Sequence, residues 1–161
     1  MAAVDYYLKV DGIKGESTDD KHKEEIDVLS FSWGATQQGT SSTGGGGGAG
    51  KVLMNDFSFT KRVDKASPAL MLACADGTHI KSVEMVARKA GKEQQEYLKI
   101  KLSDVLVSSY QSGGSQGDVV PVDQISLNFA KVEVEYKQQK ADGTLDAPAT
   151  AGWDVKANKK A

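Results

Sequence analysis

Apolar residues in this chain recur at every second position over long stretches, the period of half-buried β-strands and not of helices. Val4, Tyr6, Leu8 and Val10 share one face of a first strand; Leu53, Phe57, Phe59 and Val63 share one face of a later one. Val83, Met85 and Ala87 form a third set, followed by Leu98, Ile100 and Leu102. Three segments change parity partway. Ile26 and Val28 give way to Leu29, Phe31 and Trp33; Leu102 gives way to Val105 and Val107; Ile125, Leu127 and Phe129 give way to Val132, Val134 and Tyr136. A flat strand with one buried face keeps its parity. Each change therefore marks either a bulge at the corner of a barrel or tight sandwich, or a loop between two strands. The pattern predicts a mainly β fold, an antiparallel β-barrel or tight two-sheet sandwich.

One stretch departs from period two. In the run from Ser67 to Gly77, Ser67 suits a helix cap, Pro68 the first helical position and Gly77 the exit, so a single short flanking α-helix is expected. Its Cys74, the only cysteine, has no disulfide partner in the chain and suits a small packed core residue.

The 161 residues fit one domain, with 39% hydrophobic and 26% charged residues, well away from the composition of disordered chains. Net charge is −2 with both signs interspersed, which speaks against nucleic acid as a partner. Asp5 and Lys9 interrupt any N-terminal signal-like apolar run, and no stretch is long and apolar enough for membrane insertion. The expectation is a protein made in the cytoplasm that leaves, if it leaves, without a cleavable signal.

Catalytic and cofactor signals are weak. Gly45 to Lys51 matches the first seven positions of a phosphate-binding loop. However, Val52 stands where a magnesium-binding hydroxyl belongs, and a strand pattern follows instead of a helix. His22 and His79 lack metal-ligand spacing, and His22, between Asp20 and Glu24, reads as part of a solvated charged connection. Cys74 with His79 lacks the electropositive, accessible setting of a reactive thiol. No enzyme, cofactor or metal is expected.

Further motifs occur in a specific order. Lys14-Gly15-Glu16-Ser17, His22, Glu24-Glu25-Ile26-Asp27-Val28 and Ser32-Trp33-Gly34 come first. Next are Gly44 to Lys51, Asp56 to Lys61, the helix with Cys74, and Arg88-Lys89-Ala90-Gly91 with Glu96-Tyr97-Leu98. Val105 to Ser109, Leu127 to Ala130 and Gln139 to Gly143 complete the series. Taken together they resemble the haemolysin-coregulated protein (Hcp) family of type VI secretion tube proteins, over almost the whole chain.

The resemblance implies a β-barrel with a flanking helix, assembled as a homo-hexamer into rings that stack into a tube. It also implies a surrounding contractile sheath, a valine-glycine repeat spike protein at the tip, and small effector proteins carried in the channel. A phage-like tail-tube protein of another contractile injection device is the alternative. The chain ends at Ala161, which leaves no room for a fused toxin, so effectors are expected to be separate molecules.

Two groups of residues are candidates for these contacts. Ser30 and Ser32 lie opposite Leu29, Phe31 and Trp33, which are expected to enter the core; their side faces the channel and its effectors, favoured by the resemblance, a subunit interface, or plain solvent. The glycine-rich loop, Gln38, Gly39, Thr40, Ser41, Ser42, Thr43, Gly44, Gly45, Gly46, Gly47, Gly48, Ala49 and Gly50, is longer than a tight hairpin needs and is the candidate for ring stacking. Residues 139–150 read as a polar C-terminal linker.

Overall fold

The computed structural model describes residues 4–37, 39, 51–89 and 94–161. Among the described residues, period-two alternation is realised as nine antiparallel strands. They are β1 (Val4–Val10), β2 (Ile26–Val28), β3 (Ser30–Thr36), β4 (Leu53–Arg62), β5 (His79–Lys89), β6 (Glu96–Gly113), β7 (Val122–Tyr136), β8 (Ala149–Asp154) and β9 (Lys159–Lys160). The described residues contain one helix, α1 (Ala66–Asp76), between β4 and β5.

Pairing runs in the order β2-β1-β5-β6-β7-β4-β3, and β8 with β9 branches from the far half of β7. Among the described residues no ladder joins β2 to β3, so the expected antiparallel β fold with one flanking helix is present as an open path, not a closed barrel. Yet the two ends of that path are consecutive in the chain. Leu29 alone separates them, and its N–H donates to the Thr60 carbonyl as the strand leaves β1 for β4. That explains the first parity change. It also corrects one expectation: Leu29 is 42% exposed, because a residue at a strand switch belongs to neither inward face.

The other two parity changes share one cause. Ile80, Val105 and Phe129 are register partners across β5, β6 and β7, and so are Val83, Leu102 and Val132; all six are buried. In each strand the inward position therefore advances by three residues along the same row. No residue is inserted in the ladder there; all three strands turn a corner together. Asp104, with φ 52°, sits on β6 between those two rows. Its carboxylate accepts from His79 Nδ1 at 2.8 Å and Lys156 Nζ at 2.6 Å, while the N–H of Val155 donates to the carbonyl of Ala130. A true bulge follows one turn later, where register shifts between Val107 and Ser109 and brings Tyr110 inward.

The inward faces and α1 form one apolar cluster that includes Leu8, Ile26, Phe57, Phe59, Leu70, Met85 and Leu127, with Cys74 packed against it as expected. The helix starts one residue before Ser67, with Lys65 at the cap position, and leaves through Gly77 in the left-handed region at φ 71°. Ser67 has a different task, described below.

The connection between β1 and β2 is clamped, which overturns the solvated reading of His22. His22 is 6% exposed; its ring stacks on Tyr7 at 4.4 Å, and its nitrogens lie 3.0 Å from Glu25 and 2.8 Å from Glu96. Gly15 makes this path possible, since a Cβ there would come within 2.5 Å of the Glu25 carbonyl oxygen. Beside it, buried Arg88 donates to both Asp19 oxygens, at 2.7 and 2.9 Å, and to the Tyr7 hydroxyl at 2.8 Å. The Arg88 guanidinium holds the Asp19 carboxyl well down, at about 2.

A carboxylate depressed in the folded state contributes stability above its ordinary value of about 4, and that contribution is lost as pH falls from about 4 toward 2. The expected loss is up to about 2 kcal/mol. Urea midpoints compared at about pH 5 and about pH 2.5 should show a smaller acid-induced fall for Arg88→Leu than for the native protein. Equal falls in both would mean that the pair makes no such contribution.

Candidate functional site

Ser30 and Ser32 are exposed on β3, and register assigns each of them neighbours. Ser32 pairs with Ser58 on β4, Ser58 with Ser126 on β7, and Ser126 with Ser109 on β6. In the next rung Ser30 pairs with Thr60, Thr60 with Gln124, and Gln124 with Gln111. Two complete rungs across four strands thus carry only hydroxyl and carboxamide side chains. All of them line one shallow depression.

The sequence produces this face by alternation. Phe57, Phe59 and Lys61 point inward between Ser58, Thr60 and Arg62, and Asp123, Ile125 and Leu127 point inward between Gln124, Ser126 and Asn128. The bulge at Ser108 resets β6 so that Ser109 and Gln111 join the same face. Neighbouring hydroxyls satisfy each other: Ser30 with Thr60 at 2.6 Å and Ser58 with Ser126 at 2.9 Å. Along the strands the face is flanked by Arg62 at one end and Asp56 at the other. Both Asp56 oxygens already accept bonds, from the Ser108 hydroxyl at 2.7 Å and the Asn128 amide at 3.0 Å.

Directly behind this face lies a buried ionic cluster. Lys61 and Asp123 are both fully buried and 3.0 Å apart. Lys61 Nζ also donates to Asp64 at 2.7 Å and to Ser67 at 2.8 Å; Ser67 in turn donates to Asp123, as does the Tyr110 hydroxyl at 3.0 Å. Burial pushes the Asp123 carboxyl up, but hydrogen bonds from Ser67, Lys61 and Ser112 together with the Lys61 charge outweigh it and leave the carboxyl below its ordinary value. Burial, and then the Asp123 bond, raise the Tyr110 hydroxyl. The cluster ties the start of α1 to β4, β6 and β7 and fixes the backbone that carries Thr60 and Gln124.

Of the residues singled out by sequence, Ser30 and Ser32 come together as adjacent rungs. Gln38 and 40–50 of the glycine-rich loop lie outside the described residues; Gly39 is described and exposed. Cys74 and His79 serve separate ends, the first packed on the core and the second bonded to Asp104. Sequence reading missed Ser58, Thr60, Ser109, Gln111, Gln124 and Ser126. The signal was present in the outward parity of each strand, but only register shows that four strands contribute to the same rungs. No group of three or more His, Cys, Asp or Glu among the described residues is placed to hold a metal. No helix among them is long and apolar enough to cross a membrane.

Comparison with known proteins gives consistent results. A family model described as type VI secretion system effector, Hcp, matches residues 7–136. The chain is 51% identical over 161 residues to Protein hcp1 of Pseudomonas aeruginosa, covering 99% of each. Among solved structures, Hcp1 from Salmonella typhimurium superposes with a TM-score of 0.83 at 40% identity, over 99% of this chain and 100% of that one. A protein described as a type six secretion system protein reaches a TM-score of 0.93 at 34% identity, over 99% of this chain and 100% of its own. A type VI secretion system effector from Yersinia pestis reaches 0.76 at 35% identity, over 94% of this chain and 100% of that one.

Proposed function

This chain belongs to the Hcp family of type VI secretion system proteins, and from that premise we propose that it is a tube subunit whose hydroxyl-lined face looks into the channel and holds small effectors. Hcp proteins are secreted components of that system and not a known enzyme family. In this reading the chain forms a homo-hexameric ring, rings stack into a tube inside a contractile sheath, and a valine-glycine repeat spike protein caps the tip. Residues 38–50 contact the next ring. A ring requires two different patches of the chain to meet around the rotation axis, and stacking requires a further pair that does not close.

The observation that supports the carrier role is the pair of uncharged rungs running from Ser30 and Ser32 across four strands. Small hydroxyls leave room in a channel and both donate and accept hydrogen bonds, which suits varied protein surfaces. Ser32→Gln is the informative substitution, because it adds bulk without charge at the β3 end of its rung, where the side chain is exposed.

The variant should keep the light-scattering mass of a six-chain ring and should still be secreted. Effector co-purification and intracellular effector level should both fall about tenfold, the equivalent of about 1.4 kcal/mol at the contact. Normal effector levels with intact rings would remove Ser32 from the contact surface. Loss of the rings would instead place it between subunits.

A further inference from the structure

The chemistry of the same face narrows what it can hold. We infer that it engages proteins through patches of uncharged hydrogen-bonding side chains, by contacts that salt does not screen, and excludes cargo that docks through charge. This rests on the carrier reading above and adds the partner's chemical class to it.

The argument starts from what the two rungs lack. No Lys, Arg, Asp or Glu stands among their eight positions, although charged residues make up 26% of the chain. Farther along the same β6–β7 ladder charge returns at once: Lys101 pairs with Glu133 and Lys99 with Glu135. The two flanking charges, Arg62 and Asp56, are opposite in sign and stand at opposite ends of the face, so together they favour neither sign of cargo charge; Asp56 is held in place by the Ser108 hydroxyl and the Asn128 amide.

A cargo charge pressed against the middle of the rungs would lose hydration and find no opposite charge among their eight positions, so charged contact patches are penalised there whatever their sign. Neutral amide and hydroxyl groups exchange one set of hydrogen bonds for another at little loss. The hydroxyls of Ser30 with Thr60 and of Ser58 with Ser126 already satisfy each other, so no unmet group demands a partner. Each contact is therefore weak, and retention comes from repetition of the face around a ring. Weak, repeated contacts also permit release.

The test uses purified assembled protein and three fluorescent peptides of equal length: one of Ser, Asn, Gln, Gly and Tyr, one bearing several lysines and one bearing several glutamates. Anisotropy titrations are run at about 0.05 M and about 0.5 M NaCl, which brackets strong and weak screening. The neutral peptide should bind at least about fivefold more tightly than either charged one, change less than about twofold with salt, and lose binding in Ser32→Gln. Gln124→Glu should newly capture the lysine peptide, and Gln124→Lys the glutamate peptide, both in a salt-sensitive manner.

Preference of the native protein for either charged peptide, a fall of more than about fivefold with salt, or no binding of the neutral peptide would each overturn the inference. These outcomes are separable from failure of the carrier reading. If Ser32→Gln depletes effectors in cells while the native rings favour a charged peptide, carriage stands and the neutral-contact rule falls. If Ser32→Gln leaves effectors untouched, the carrier reading itself has failed.

Discussion

Lys61→Met should destabilise the protein by about 3–5 kcal/mol, among the largest losses available to a single substitution, because it strands a buried carboxylate. Asp123 is 0% exposed, as is Lys61, and its remaining partners Ser67, Ser112 and Tyr110 supply hydrogen bonds but no positive charge. Asp64, which accepts from the same ammonium at 2.7 Å, loses its counter-ion at the same time and keeps the N–H of Ala66 at 2.9 Å. The double substitution Lys61→Met with Asp123→Leu should recover much of the loss, since a buried ion pair exchanged for apolar groups of similar volume is often neutral. Urea unfolding of the single and double variants measures both. Equal destabilisation in single and double would show that packing of the lysine stem, not its charge, is what matters.

Phe57→Ala should cost a comparable 3–5 kcal/mol, roughly the loss for a fully buried phenylalanine, by a different route. Phe57 is 1% exposed; its ring stacks against Phe31 at 5.8 Å and lies 6.3 Å from Phe59. The cavity would open behind Ser58, where β3, β4 and β7 meet, and backbone pairing on both sides of β4 hinders its collapse. Phe57→Leu should cost clearly less because more of the volume is kept. Leu72→Ala, on the outer side of α1 at 58% exposure, serves as the control, with a change within about 0.5 kcal/mol. Thermal or urea unfolding decides it; a Phe57→Ala loss no greater than that of Leu72→Ala would mean that the site repacks freely.

Much of this architecture was legible in residue order. The alternation around Phe57 and Phe59 assigned both faces of β4 from Phe57 to Arg62, and Gly77 marked the helix exit at the position where the structure has it. Leu53 and Val63, expected on the Phe57 face, are instead 66% and 36% exposed. For Leu53 the reason is that register with β3 shifts between Ser32 and Gly34 and turns Met54 inward; for Val63 it is that the strand has ended at Arg62. The parity changes were legible as events but not as geometry. Nothing local to Leu102 and Val105 tells that Phe129 and Val132, or Ile80 and Val83, step at the same row, because register is a relation between distant segments.

The same limit hid the polar face, since Ser32 and Ser109 meet only through β4 and β7. Burial of charge was the other blind spot. Lys61 alternates with Thr60 and Arg62 like any surface lysine, and His22 sits in a charged run. Each is buried because partners far along the chain, Asp123 and Glu96, come to meet it. Leu29 failed in the opposite sense: its apolar character matched Phe31 and Trp33, but the strand switch removed it from their face.

The shared corner between the Ile80–Val105–Phe129 and Val83–Leu102–Val132 rows, with Asp104 on its β6 segment, restricts how the length of this chain can change. Deleting or inserting one residue in β6 beside Asp104 would reverse the facing of every side chain on one arm of that strand while β5 and β7 kept theirs. The mismatch would bury Lys99 and Lys101 or expose Ile100 and Leu102. Length variation at the corner itself is tolerable only if all three strands change together. Single-residue gains and losses are therefore confined to positions outside the corner, either a bulge such as that at Ser108 or the turn between Gly113 and Val122, where no neighbouring strand has to follow.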